Sequence, residues 1–332
     1  MKVLALNCGS SSVKHALFED DACVARGTID RIGVPGGHET HAHAVHEVLD
    51  GIGAIDAVGH RLVHGGPSLL QPVRVDEGVV ETLRQAVPFA PLHLPAAIGA
   101  IEAVAGKLPR IPQVSCFDTA FHRTLPDVAR RLPLPASIDA LGVRRYGFHG
   151  LSYEWAVASL ELRGRAVIAH LGNGASMCAV RDGVSIDTTM GLTPAGGFMM
   201  GTRTGDLDPG VMIFLLERMT REELARMVNH QSGLFGVSGS TPDMKALLAS
   251  PDPHARLAVE MFCYQARKAA GALAAALGGL DAMVFTGGIG EHATSVRERI
   301  CEGLRHLGPF SVQVVKAEEE RMIARHTARL LA

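Results

Sequence analysis

The sequence predicts an α/β protein built from two related halves. Strand-like and helix-like segments alternate along the chain, and one short pattern occurs twice, about half a chain apart. Such alternation is typical of α/β architectures. The 332 residues exceed what one small domain needs, and a chain of this length can bury a large core without disulfides or metals.

The repeated pattern lies at residues 4–20 and again at residues 168–183. Each copy has an apolar strand, a turn of Gly, Asn and Ser, a second strand, and an acidic turn that leads to a third strand. Gly and Asn accept left-handed backbone angles at low cost, which favours a tight hairpin at each turn. The two copies therefore predict two domains that each begin with a β-hairpin.

The rest of the chain supplies the other elements of this architecture. Apolar runs predict strands at residues 54–64, 111–116 and 282–286. Helical periodicity predicts helices at residues 76–87, 94–105, 151–162, 209–219, 221–229, 254–277 and 294–304. The Pro-rich residues 125–135 are either an interdomain linker or an ordered loop of one domain, and we place the domain boundary near residue 120.

Composition restricts the class of function. The 32 basic and 34 acidic residues leave a formal charge of −2, which argues against nucleic acid as the main partner, since a polyanion requires a concentrated basic surface. No segment reaches the roughly 18 apolar residues of a membrane span. The six cysteines are scattered, without a C-x-x-C pair or zinc spacing, and this predicts reduced thiols in a cytoplasmic protein.

Three glycine-containing loops have the composition of phosphate-binding loops. They lie at residues 7–12, with Lys14 just beyond, at residues 170–174 and at residues 286–291. Backbone N–H groups and hydroxyls in such loops donate to phosphate oxygens, and a helix that begins at the third loop would favour an anion. The first loop lacks the Walker pattern. Each loop alone is more often a plain turn, but three in one chain favour a nucleotide site.

A fourth segment, residues 188–209, is rich in Gly and Thr and has no periodicity. Long segments of this kind inside a domain are usually functional. Arg203 lies among small residues, so its guanidinium could reach a phosphate without crowding.

Together these segments resemble the acetate kinase family over nearly the whole chain. The motifs that carry the resemblance are NCGSSSVK (7–14), GHRLVHGG (59–66), APLHLPA (90–96), FDTAFH (117–122), RYGFHG (145–150), HLGNGAS (170–176), MGTRTGDLDP (200–209), FTGGIGE (285–291) and EERMIAR (319–325). The family belongs to the sugar kinase, Hsp70 and actin superfamily. The resemblance therefore implies two RNase H-like domains with the active site in the cleft between them: residues 1–119 with about 320–332, and residues 120–319.

The resemblance also implies the substrate-binding residues. Arg61 would hold the substrate carboxylate, because a planar guanidinium can bind both oxygens at once. The small apolar pocket for the methyl group would be formed by Val63, Leu92, Phe148 and Pro194, with His93 near the reacting group.

Three catalytic residues follow in the same way. His149 and Arg203 match residues that stabilise the transferring phosphoryl group. Asp118 matches a residue usually described as a proton donor or acceptor. A carboxyl group with a pKa near about 4–5 is ionised at neutral pH and has no proton to give, so our hypothesis is that Asp118 orients Arg61 or the magnesium waters.

The implied metal and nucleotide contacts complete the site. The magnesium site matches Asn7 and Glu319. The ATP or ADP contacts match Ser12, Lys14, His170, Leu171, Gly172, Asn173, Gly174, Asp243, Met244, Lys245, Gly287, Gly288, Ile289, Gly290 and Glu291.

Without the resemblance, each side chain also has a purely structural interpretation. Arg61 could form a surface salt bridge, the motif histidines could be core residues, and Asp118 could cap a helix. Arg203 could anchor a loop, and Glu319 could lie on a solvated helical face.

The function expected is acetate kinase, the reversible ATP-dependent phosphorylation of acetate to acetyl phosphate by a cytoplasmic homodimer. The alternatives are a propionate or butyrate kinase on the same scaffold, or a nucleotide-binding protein without phosphotransfer. Small residues at 195–197, where the family has Leu-Glu-Gly, could leave room for a larger acid. Retention of Arg61, His149 and Arg203 argues against the non-catalytic alternative.

This sequence also departs from the family pattern in charge and in length. Leu94 replaces a family Asn, and Glu318, also in place of Asn, would add negative charge near Glu319. The chain is shorter than typical family members, with deletions expected between residues 14 and 61, 149 and 170, and 291 and 319. The histidines His38, His41, His43 and His46 are close enough for a metal site, but a polar helix face or loop is the favoured interpretation.

Overall fold

Strands and helices alternate along the chain in a computed structural model, which describes residues 1–9 and 11–332. Ser10, part of the first loop motif, lies outside the described residues. The strands are β1 (Lys2–Cys8), β2 (Ser12–Glu19), β3 (Ala22–Asp30), β4 (Ala57–Leu62), β5 (Val73–Arg74), β6 (Gln113–Phe117), β7 (Arg165–Leu171), β8 (Ala175–Arg181), β9 (Val184–Thr188), β10 (Ala282–Thr286) and β11 (Ser311–Val314). The α-helices are α1 (His41–Gly51), α2 (Glu77–Ala86), α3 (Leu94–Lys107), α4 (Asp127–Arg130), α5 (Ala136–Asp139), α6 (Gly150–Leu160), α7 (Pro209–Leu216), α8 (Arg221–His230), α9 (Gly233–Ser238), α10 (Met244–Ala249), α11 (Pro253–Leu277), α12 (Gly287–His292), α13 (Thr294–Glu302) and α14 (Glu319–Leu331).

Two units emerge from the packing of these elements. Unit 1 comprises Met1–Arg123, Gly150–Trp155 and Glu318–Ala332, and unit 2 comprises Thr124–His149 and Ala156–Ala317. The assignment made from the sequence differs mainly at Gly150–Trp155, which lies with unit 1. The Pro-rich residues 125–135 belong to unit 2 and contain α4, so they are an ordered part of that unit.

Each unit contains one mixed sheet, and the two sheets share a topology. The order in unit 1 is β3-β2-β1-β4-β6-β5, with β2 and β5 antiparallel to the others. The order in unit 2 is β9-β8-β7-β10-β11, with β8 antiparallel. A hairpin of three strands followed by two parallel strands is therefore present twice. This confirms the internal repeat and the two-part α/β fold.

The sheet of unit 1 is buried on both faces. Because successive side chains of a strand point to opposite faces, Leu4 and Leu6 pack with α1 and α3, whereas Val3 and Ala5 pack with α14. Gly59 in β4 permits this close approach, since a Cβ atom there would lie 2.3 Å from Thr327 Oγ1 in α14.

The sheet of unit 2 is covered by the long helix α11. Its buried residues recur with helical spacing, as at Ala255, Val259, Phe262 and Ala266. Asp252 accepts a hydrogen bond from His254 N, and Pro253 occupies the first turn, which explains where the helix begins.

The six cysteines are free, as predicted. Burial raises the pKa of the Cys8 and Cys178 thiols to about 12, which keeps both protonated at neutral pH. No helix in the described part of the chain is both long and apolar enough to cross a bilayer.

Candidate active site

The carboxyl ends of three neighbouring strands bring the first group of candidate residues together in unit 1. Asn7 pairs with Arg61 in the parallel register of β1 and β4. Leu62 pairs with Phe117 of β6, and Asp118 follows directly. Ligand sites of open α/β sheets commonly lie at this edge.

Arg61 is held by Asp118 and Asn7. Its Nε lies 3.0 and 3.1 Å from the two carboxylate oxygens of Asp118, and its Nη2 lies 2.5 Å from Oδ2. Its Nη1 donates to Asn7 Oδ1 at 2.9 Å. Asp118 is 1 % exposed, and the Arg61 side chain is 16 % exposed. The geometry places both carboxylate oxygens of Asp118 against the guanidinium of Arg61.

Three of the five N–H donors of the guanidinium are engaged in these bonds. Among the described residues, one N–H on Nη1 and one on Nη2 lie outside these bonds, and a guanidinium with donors on both terminal nitrogens can bind both oxygens of a carboxylate. Burial alone lowers the pKa of Arg61, but attraction to Asp118 and Glu319 outweighs it and raises the pKa above its ordinary value. The group therefore stays cationic.

The start of α14 adds carboxylates to this cluster. Asn7 Nδ2 lies 3.2 Å from Glu319 Oε2 and 3.2 Å from Glu320 Oε1. The structure thus brings the two predicted metal residues together, and adds Glu320, which the sequence did not single out. Glu318 instead lies 2.5 Å from Arg26 Nη2 on β3. The extra negative charge expected beside Glu319 is therefore compensated.

The remaining predicted residues of unit 1 are more dispersed. Val63 is buried just after β4, whereas Leu92 is 49 % exposed and His93 is the N-cap residue of α3. Ser12 begins β2, and Lys14 pairs with Asn7 across the β1–β2 hairpin, with an exposed side chain.

The histidine cluster lies at and around the start of α1. His41 Nε2 is 2.8 Å from the carbonyl oxygen of Gly9, and His38 is 3.0 Å from Glu47. Among the described residues, no three His, Cys, Asp or Glu side chains are arranged to hold a metal ion. In α1, His41 and His46 are partly exposed and His43 is exposed.

In unit 2, His149 adopts an unusual backbone conformation. Its φ of 58° and ψ of 23° are left-handed, a region that few non-glycine residues occupy. Its Nδ1 lies 2.8 Å from Ser176 Oγ, and its ring stacks on His170 with 4.2 Å between centroids and an interplanar angle of 14°.

Arg203 approaches the same glycine loop as His149. A Cβ atom built on Gly174 would lie 3.4 Å from Arg203 Nη1 and 3.5 Å from His149 Nε2. Arg203 Nη1 also donates to the Pro194 carbonyl at 3.0 Å, which ties the Pro194 loop to the arginine. Phe148, beside His149, is fully buried.

A cavity of about 930 Å³ in unit 2 is lined by seven of the fifteen predicted nucleotide residues. This volume lies in the range of sites for small molecules and cofactors. Its lining residues are Gly172, Asn173, Pro242, Asp243, Met244, Lys245, Leu248, Ala249, Gly288, Ile289, His292 and Ala293. Five of these were not predicted, and Pro242, Leu248 and Ala249 carry no phosphate-loop signal that would have marked them.

Several other predicted nucleotide residues do not line this cavity. Leu171 and Gly290 are buried, and Gly287 contacts the Leu171 carbonyl so closely that a Cβ atom would lie 2.8 Å from it. Glu291 Oε1 accepts hydrogen bonds from Gly287 N at 3.1 Å and Ala317 N at 3.0 Å. Its carboxylate therefore fixes the loop instead of facing the cavity.

Comparison with known proteins identifies the relatives of this chain. The model of the Acetokinase family matches residues 41–329. This chain belongs to that family. An acetate kinase of Rhodopseudomonas palustris (strain ATCC BAA-98 / CGA009) is 44 % identical over 99 % of this chain and 98 % of its own length.

Solved structures of the acetokinase family agree with this assignment. The acetate kinase of Porphyromonas gingivalis has a TM-score of 0.91 and 36 % identity, covering 100 % of both chains. A propionate kinase of Francisella tularensis subsp. tularensis SCHU S4 has a TM-score of 0.93 and 33 % identity, covering 99 % of both chains. The expected family, α/β fold class and phosphotransferase class are confirmed.

The alignment with the Rhodopseudomonas palustris protein also bears on chain length. It spans 395 positions, whereas this acetokinase-family chain has 332 residues. The relative therefore contains segments that this chain lacks, as expected from the sequence.

Proposed function

We propose that this chain transfers the γ-phosphoryl group of ATP reversibly to acetate, giving acetyl phosphate and ADP. The observation that carries the proposal is the guanidinium of Arg61, held by Asp118 and Asn7 with one N–H donor on each terminal nitrogen outside these bonds. A fixed, cationic fork of this kind suits a carboxylate. A protein that only binds nucleotide has no need of it.

The acid would be bound through its carboxylate and its methyl group. Arg61 would hold the carboxylate, with His93 near the reacting group. The methyl group would be contacted by the apolar residues Val63, Leu92, Phe148 and Pro194.

ATP would occupy the cavity of unit 2. Asp243, Met244 and Lys245 line one part of it, and Gly288 and Ile289 line another. The loop Gly172–Asn173–Gly174 would contact the phosphates through its backbone, with Ser12 and Lys14 as further contacts from unit 1.

Phosphoryl transfer would depend mainly on position and charge. A carboxylate oxygen of acetate attacks the γ-phosphorus as the bond to the ADP oxygen breaks, and negative charge is distributed over three equatorial oxygens. Arg203 and His149 would stabilise this charge as donors near the Gly174 loop. Asp118 would act by orienting Arg61, and no proton transfer by Asp118 is needed.

The residues at the start of α14 fit a magnesium ion. Magnesium prefers oxygen ligands and is usually bound by one or two carboxylates together with substrate phosphates. Glu319 and Glu320 supply carboxylates beside Asn7, whose amide oxygen bonds Arg61. We propose that Asn7 and Glu319 hold the metal, with Glu320 adjacent. Bound there, magnesium would neutralise phosphate charge.

The assembly and location follow from the same family. We propose a cytoplasmic homodimer, supported by six free cysteines and by the apolar surface of α7, where Ile213, Phe214 and Leu216 are all more than half exposed. Sedimentation of the full chain should give a dimer that Ile213→Asp dissociates. Val128→Asp, at a 91 % exposed position outside α7, is the matched control.

We further propose that the functional domains are residues 1–119 with about 320–332 and residues 120–319, as expected from the sequence. The deciding experiment is a steady-state assay with ATP and magnesium against acetate, propionate, butyrate and formate. We expect the highest kcat/KM for acetate, with propionate second. A preference for butyrate would show that the small residues at 195–197 enlarge the pocket. ATP binding without turnover of any acid would overturn the proposal.

A further inference from the structure

A cross-strand pair in unit 2 presents two side chains to His149. The antiparallel register of β7 and β8 places His170 directly opposite Ser176. Side chains of directly opposed residues lie on the same face of a sheet. The imidazole of His149 therefore stacks on one member of the pair, at 4.2 Å, and hydrogen-bonds the other, at 2.8 Å.

Ser176 is well placed to control the protonation of this ring. It is fully buried in β8, which keeps its hydroxyl away from solvent. A neutral imidazole carries its proton on one nitrogen and accepts at the other. When Ser176 Oγ–H donates to Nδ1, the proton of His149 must lie on Nε2.

The Nε2 atom is the one that faces the glycine loop. It lies 3.5 Å from the Cβ position of Gly174, and Arg203 Nη1 approaches the same position at 3.4 Å. Only a protonated Nε2 can donate to an anionic oxygen there. With the proton on Nδ1, the ring would instead direct a lone pair toward negative charge.

We propose that Ser176 is a positioning residue that holds His149 in the tautomer with its proton on Nε2. The stacked ring of His170, with 4.2 Å between centroids, limits rotation of His149 about its side-chain bonds. The two strand residues thus hold the ring in one plane and one tautomer. The inference rests on the proposed phosphoryl transfer, in which His149 acts as a donor.

Kinetics of the full chain test this role. In Ser176→Ala we expect kcat to fall roughly five- to tenfold, the effect of one lost hydrogen bond, with the KM for ATP and for acetate changed less than twofold. Ser176→Thr retains the hydroxyl and should recover most of kcat. Ser185→Ala removes another fully buried serine hydroxyl from the same sheet, bonded to Cys178 at 3.2 Å, and should leave kcat unchanged.

The tautomer itself is measurable by nitrogen-15 NMR of histidine-labelled full chain, with the His149 signals assigned by their loss in His149→Gln. We expect a protonated Nε2 in the parent and in Ser176→Thr, and a mixture of tautomers in Ser176→Ala. A parent with its proton on Nδ1, or a Ser176→Ala variant with the parental spectrum, overturns the proposal. If the parent phosphorylates no acid, the proposed function fails, but the spectra still decide whether Ser176 sets the tautomer.

Discussion

The substitution Asp118→Asn tests the arrangement of Arg61 most directly. It keeps the size of a side chain that is 1 % exposed, while it removes the negative charge that the guanidinium faces. The new amide can accept one hydrogen bond through its oxygen. Its NH2 group would meet the N–H groups of Arg61, so one of the two oxygen contacts becomes repulsive.

The expected magnitude follows from the geometry. Hydrogen bonds to charged groups contribute about 1.5–3 kcal/mol each, and Asp118 accepts from both Nε and Nη2. The loss of one such bond and its orienting effect, about 2.7 kcal/mol, corresponds to a roughly 100-fold fall in kcat/KM for acetate. Leaving a buried charge without its partner should also lower the free energy of unfolding by about 3 kcal/mol.

The assay is steady-state ADP production with acetate varied at saturating ATP and magnesium, combined with urea unfolding. Asp21→Asn is the matched control, because Asp21 forms a bidentate pair with Arg325 at 2.8 and 2.8 Å but is 56 % exposed. We expect Asp21→Asn to cost less than about 1 kcal/mol of stability and to leave kcat/KM unchanged. A kcat/KM within threefold of the parent in Asp118→Asn would refute the need for charge at this position.

Three further changes test other parts of the structure. Burial lowers the pKa of His60 to about 4, whereas an unfolded histidine has a pKa near about 6.5. The unfolded state therefore binds the additional proton first. The free energy of unfolding should fall as pH drops from about 6.5 to 4, by up to roughly 3 kcal/mol, and His60→Gln should remove that part of the slope in urea titrations at several pH values. Gly150→Ala would place a Cβ atom 2.1 Å from the Asp118 carbonyl oxygen, so we expect the free energy of unfolding to fall by more than about 2 kcal/mol in the same titration. The control is Gly99→Ala in α3, which has open space around it and should raise the free energy of unfolding by up to about 1 kcal/mol. Gly288→Leu would fill part of the unit 2 cavity without a clash at Cβ and should raise the KM for ATP at least about tenfold. Gly99→Leu is the control and should leave the KM for ATP unaffected. An unchanged KM in Gly288→Leu would place ATP elsewhere.

Much of the fold was predictable because the signals are local. The hairpins of both units depend on Gly and Asn turns and on apolar strands, which are adjacent in sequence. Helix α11 is marked by its apolar spacing and by Asp252 and Pro253 at its start. Strands β5 and β11 were missed, because β5 has two residues and β11 is largely exposed, so backbone pairing holds them without an apolar pattern.

The candidate site likewise has parts that the local sequence predicts and parts that depend on contacts between distant residues. The loop at residues 170–174 and the Thr- and Gly-rich segment around Arg203 are visible in composition alone. The contact between Arg61 and Asp118 joins residues 57 positions apart and depends on the register of parallel strands, which no local pattern encodes. Ser176 was quoted only as part of a motif, since its role depends on the residue opposite it in the neighbouring strand.

The three consecutive glutamates at 318–320 show why charge near a site cannot be read from neighbours in sequence. Glu318 pairs with Arg26, which is 292 positions away and reaches it because β3 and α14 lie in the same unit. Glu319 and Glu320 instead contact Asn7. Glu318 precedes the helix and has a non-helical backbone, and its carboxylate meets a basic partner, whereas Glu319 and Glu320 in the first turn of α14 remain beside Asn7. The charge that matters to a cation at this position is therefore that of three carboxylates, Asp118, Glu319 and Glu320, offset by the guanidinium of Arg61.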